Sequence, residues 1–91
     1  MELRLPAVLT HAQANQSVRA LQQAMRLGAK GPQVVVQAGA LRQFDSSVLA
    51  VLLECRRFAL ALGLGFAVAQ MPPRLRQLAG LYGVAELLPA A

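Results

Sequence analysis

Asp45, Ser46 and Ser47 stand directly ahead of a long apolar run, Val48 to Leu62. An Asp at that place can accept the free amides of a helix's first turn. A hydroxyl beside it lies at the positive end of the helix dipole, where an anion or a partner's carboxylate can be held. Phosphorylation of Ser46 or Ser47 would add about two negative charges beside Asp45 and act as a switch at a protein contact. The plainer reading is that the three residues only cap the helix, a contribution of ~0.5–2 kcal/mol.

Catalysis lacks its parts. His11 is the single histidine, Asp45 and Ser46 are neighbours with no imidazole to relay a proton, and Glu2, Glu54 and Glu86 are dispersed. His11 with such scattered acids makes no metal set. Cys55 is alone, so neither an intrachain disulfide nor a cysteine metal cage can form, and its apolar neighbours indicate a buried thiol. Gly63-Leu64-Gly65 lacks the third glycine and the helix start of a dinucleotide loop, and no Walker lysine exists. The chain is therefore expected to be no enzyme, to hydrolyse no ATP, and to bind neither metal nor cofactor.

The elements that must carry Asp45 to Ser47 are legible in outline. Leu3 to Leu9 alternates unevenly around Pro6 and is expected to be one edge strand. Thr10-His11-Ala12-Gln13 has capping-box spacing, and Ala14, Val18, Leu21 and Met25 recur at helical steps until Gly28 and Lys30-Gly31-Pro32. Val34-Val35-Val36 is too short for a helix and continuous rather than alternating, which predicts a central parallel strand over 33–38 covered on both faces. After a loop over 39–44, Asp45 opens a helix that is apolar almost all round, interrupted only by Glu54, Arg56 and Arg57, and Gly63 stops it. Residues 65–69 read as the next strand. Met71-Pro72-Pro73 then turns into a helix over 74–82 with Leu75, Leu78 and Tyr82 on one side, and 84–88 can add a last short strand. The alternation of strands and helices predicts right-handed crossovers and a helix-lined sheet.

Ninety-one residues allow one domain, assigned to residues 1–91. Their 56% hydrophobic and 14% charged content leaves too little charge for an ordinary solvated coat, so part of the surface is expected to meet a partner. The longest uncharged stretch near the middle, 58–73, is broken by Gly63, Gly65 and a proline pair, which excludes a membrane span. An acid at position 2 and the lack of a basic segment leading into an apolar run speak against a secretory signal and for the cytoplasm. The net charge of +5 comes almost entirely from arginines scattered along the chain. With few aromatics and no docking helix this disfavours nucleic acid, whose binding would fall steeply with salt. An acidic protein surface suits forked arginines equally well.

The run Phe44-Asp45-Ser46-Ser47-Val48-Leu49-Ala50-Val51-Leu52-Leu53, the Gly-strand-Pro-Pro-Arg-Leu unit after it, and Leu81-Tyr82-Gly83-Val84 resemble a STAS domain from about Gln33 onward. That family includes bacterial anti-sigma-factor antagonists, the tails of sulfate transporters, and the MlaB group, small soluble subunits of the phospholipid-transporting Mla ABC complex. Minimal length, the Leu-Pro-Ala opening and Leu-Glu-Cys-Arg-Arg make the chain most similar to the MlaB group. The resemblance implies an α/β, STAS-like fold: a mixed, mostly parallel sheet of about four strands with three to four α-helices. It further implies a non-enzymatic adaptor in the system that maintains outer-membrane lipid asymmetry. Its partner would be an MlaF-like ATPase in complex with a permease, which would hold it at the inner membrane. The residue after the Asp is the family's phosphoacceptor or key contact hydroxyl, and here it is Ser46. Where antagonists carry Gly after Asp-Ser-Ser or Asp-Ser-Thr, this chain has Val48, which counts against close docking of an anti-sigma kinase. That kinase remains the partner of the alternative reading, an antagonist switched by serine phosphorylation. The partner face is assigned to Arg42, Gln43, Phe44, Asp45, Ser46, Ser47 and Val48 with Thr10 and His11. Arg56 and Arg57 are rim charges or merely a solvated strip.

Overall fold

Pro6 divides the N-terminal segment into two strands where one was expected. In the computed structural model, which describes residues 1–28 and 31–91, β1 spans Glu2–Arg4 and β2 spans Val8–Leu9. Proline has no amide to donate, so the ladder stops before it and the chain is free to leave the sheet. A 3₁₀ turn at His11–Gln13 leads into α1 at Ala14–Gly28. The Gln13 side-chain oxygen accepts both the Thr10 amide at 2.9 Å and the Thr10 hydroxyl at 2.8 Å, so the expected helix start is built. Leu21 and Met25 are buried, and Ala14 and Val18 pack against the core beside them. Lys30, expected to help end this helix, lies outside the described residues.

β3 (Gln33–Gln37), α2 (Ser47–Ala61), β5 (Gly65–Ala69) and α3 (Pro73–Leu81) follow, with the two-residue β4 at Gln43–Phe44 inside what the sequence presents as loop. Among the described residues the strands form two parallel sheets, β1-β3-β5 and β2-β4. β3 is central, as expected, but it is not covered on both sides. Val34 and Val36 are wholly buried while Val35 is only half-buried, because the pleat turns alternate residues to a second face that is incompletely covered.

The last expected strand is displaced. Ala85–Leu87 is a 3₁₀ turn, and it is Ala90 that pairs in parallel with Val68, whose amide donates to the Pro89 carbonyl at 2.8 Å. Leu88 instead drops into the core. Tyr82, expected on the inner side of α3, caps that helix and stays exposed, and Leu75 and Ala79 do the inner packing. The core is closed by α2, whose Val48, Leu49, Val51, Leu52, Cys55 and Ala59 are all buried. Gly63, at φ +78°, supplies the left-handed turn that ends α2 before β5.

Candidate functional site

The short β2–β4 pair explains why two helix starts meet. Its register sets Leu9 beside Phe44, so the next residues along each strand, Thr10 and Asp45, begin their helices side by side. The Arg42 and Gln43 amides both donate to the Ala7 carbonyl, at 2.8 and 3.0 Å, which holds the loop ahead of β4 against β2. Asp45 then joins the two starts. One carboxylate oxygen accepts the Ser47 amide at 2.8 Å and the other accepts the His11 amide at 3.1 Å. The Ser47 amide above all, then the His11 amide, then the Ser47 hydroxyl, hold the Asp45 carboxyl below its ordinary pKa.

With Asp45 and Ser47 occupied with each other, Ser46 is left facing water. Among the described residues its hydroxyl has no hydrogen-bond partner, and it stands at the mouth of a groove of about 370 Å³. Leu49, Ala50 and Leu53 of α2 form one wall, and Tyr82 and Val84 from the end of α3 form the other. Phe44, half-buried beneath the loop, carries the Arg74 guanidinium 5.2 Å from its ring centre. Arg42 is exposed in the same loop.

A family model described as the MlaB STAS domain matches residues 1–89. The chain belongs to the STAS family. No functionally curated protein matches it significantly.

In this STAS domain the residues expected at one face divide into three groups. Arg42, Gln43, Phe44, Asp45, Ser46, Ser47, Thr10 and His11 do come together, although Thr10 works through its capping bonds and His11 through its backbone amide. Val48 does not join them. Its side chain is wholly buried, so a residue assigned to the partner face belongs to the core. Arg56 and Arg57 are also elsewhere: ten and eleven residues along α2 from Ser46 correspond to about 15 Å at 1.5 Å per residue. Arg57 pairs with Glu54 at 2.8 Å on an exposed surface, a contact of small energetic consequence.

Arg74, Leu53, Tyr82 and Val84 were not among the residues assigned from sequence. Arg74 could have been found, because Pro72-Pro73 fixes the start of α3 and places Arg74 in its first turn. Nothing local marks Tyr82 and Val84, which reach the groove only because α3 ends beside α2.

Among the described residues no group of three or more His, Cys, Asp or Glu side chains could hold a metal, and no helix is long and apolar enough to cross a membrane. Burial pushes the Cys55 thiol up to about 12, with the Glu54 charge adding to the effect, which leaves it a packing residue.

Proposed function

We propose that this STAS domain is a non-enzymatic adaptor that binds the cytoplasmic ATPase of a phospholipid-transporting ABC complex and supports its assembly or activity. The observation that carries the reading is the unbonded Ser46 hydroxyl at the mouth of an apolar groove on the first two turns of α2. An apolar centre with a few placed polar groups is how protein contacts gain both affinity and register. Arg42, exposed in the loop ahead of Asp45, and Arg74, over the Phe44 ring, suit carboxylates on the partner, and the net charge of +5 favours approach of an acidic surface. The adaptor would reach the inner membrane through this contact.

The test is co-purification of the tagged protein from its own cells, followed by the same experiment with Ser46→Glu. The ATPase and its permease should accompany the wild type and be lost from the variant, with circular dichroism and melting unchanged. Retention of the ATPase by a folded Ser46→Glu protein would show that the contact lies elsewhere.

One observation also favours the second reading, an anti-sigma-factor antagonist. Ser46 is open to a kinase, and the buried Val48 presents no obstacle at the surface. A co-purifying histidine-kinase-like protein together with phosphoserine at position 46 would decide for it.

A further inference from the structure

A second surface lies at the edge of the main sheet, away from Ser46. β1 ends the order β1-β3-β5, and its register with β3 sets Glu2, Leu3 and Arg4 beside Val35, Val36 and Gln37. The residues that bond to β3 are the odd-numbered ones: the Val35 amide donates to the Met1 carbonyl at 2.9 Å, and the Leu5 amide donates to the Gln37 carbonyl at 3.0 Å. Residues of a strand turn their backbone groups alternately to the two sides, so the amides and carbonyls of Glu2 and Arg4 point outward from the sheet. Their side chains lie two residues apart on one face of the sheet and are exposed, while Leu3 turns into the core.

We propose that this edge pairs antiparallel with the same edge of a second copy of the chain, about a two-fold axis through Leu3. In that register Glu2 stands opposite Arg4 of the second copy, and Arg4 opposite its Glu2. Among the described residues nothing pairs with their outward backbone groups, so each pair exchanges two amide–carbonyl bonds and the two sheets continue into each other. Each pair also sets opposite charges directly across from one another on the same face, the favourable cross-strand arrangement. Parallel pairing through the same edge would turn one sheet over, setting the Glu2 and Arg4 side chains of the two copies on opposite faces and their outward backbone groups out of bonding register, so only the antiparallel form uses both.

Isolated edges are commonly protected by charges that repel a second copy. Here one acid and one base at a spacing of two make the edge self-complementary. Glu2 keeps one oxygen available, since Gln37 donates only to the other, at 2.9 Å. Apolar surface continues beside the edge, in a groove of about 560 Å³ where Leu5, Pro6 and Val8 face Ala20 and Leu21 of α1. Pro6 limits the pairing to this short stretch, so the association is weak and reversible, as small interfaces are. The contact is isologous and shares no lining residue with the groove beside Ser46, so both Ser46 faces stay open.

The test is sedimentation of the full chain over a wide concentration series. The average mass should rise from 9.7 kDa toward twice that value at high concentration. Glu2→Arg alone and Arg4→Glu alone should each hold it at the monomer, because each sets like charges opposite one another, and the double variant should recover self-association. Hydrogen exchange of the unmodified protein provides an independent reading: the Glu2 and Arg4 amides should become protected as concentration rises, while Leu3 does not change. A mass that stays at the monomer throughout, or single variants that associate as well as the wild type, would overturn the proposal. Amides at Glu2 and Arg4 whose exchange ignores concentration would overturn it as well.

Discussion

Val48 and Ser46 are two residues apart and point to opposite sides of α2, so they should fail in opposite ways. Val48→Gly removes a wholly buried side chain from the first turn of the helix. Burial of a valine side chain is worth ~1.5–3 kcal/mol, and glycine in a helix costs up to about 1 kcal/mol relative to alanine. The expected loss is roughly 2–4 kcal/mol, against a total of about 5–14 kcal/mol for a domain of this length. The variant should therefore remain folded in buffer while its melting temperature falls by about 10–30 °C. Val48→Ala, which keeps the helix propensity and loses two methyl groups, should show about 1.5–2.5 kcal/mol of the effect. Urea denaturation of the three proteins gives these values. Capture of the proposed ATPase partner at a temperature where all are folded should be equal for the three, because no atom of Val48 reaches the surface. Two results would refute the reasoning: a stability loss below about 1 kcal/mol, which would place Val48 outside the core, or loss of capture by a folded Val48→Gly protein, which would return that position to the partner face.

Asp45 accepts two amides as a carboxylate and has its pKa depressed below 3.8, so its contribution to stability is complete above that value and is lost as pH falls through the lower folded-state pKa. Acid titration of Asp45→Asn should accordingly be flatter than that of the wild type in that window, and parallel curves would show that the two bonds add nothing. Cys55, with its pKa pushed up to about 12, should resist a thiol reagent in the native state and react only on unfolding; rapid labelling of folded protein would contradict its burial. Leu52→Ala, at a position with no exposure, should cost ~2–5 kcal/mol in denaturant unfolding, and a neutral effect would displace α2 from the core.

The local signals that survive in the structure are those whose physics is local. Capping-box spacing at Thr10–Gln13, a carboxylate ahead of an apolar run at Asp45, and a left-handed glycine at Gly63 each act within one turn of chain, so residue type and spacing suffice to place them. The β-branched run at Val34–Val36 likewise marked the central strand. What needs a distant partner could not be read in this way. The division at Pro6 depends on β2 finding β4 across the 33 residues from 10 to 42, and the C-terminal pairing depends on Val68 accepting Ala90 in place of the apolar stretch ahead of it.

The site divides along the same line. Sequence alone determined that a carboxylate and hydroxyls stand at the start of an apolar helix. Tertiary structure decided which hydroxyl is free, that Val48 turns inward, and that Tyr82 and Val84 come to line a groove with Leu53. It also left the backbone groups of Glu2 and Arg4 at an open edge. The reason is the same in each case: the periodicity of a helix tells which residues share a stripe, but only the elements packed against that stripe determine whether it is core or surface.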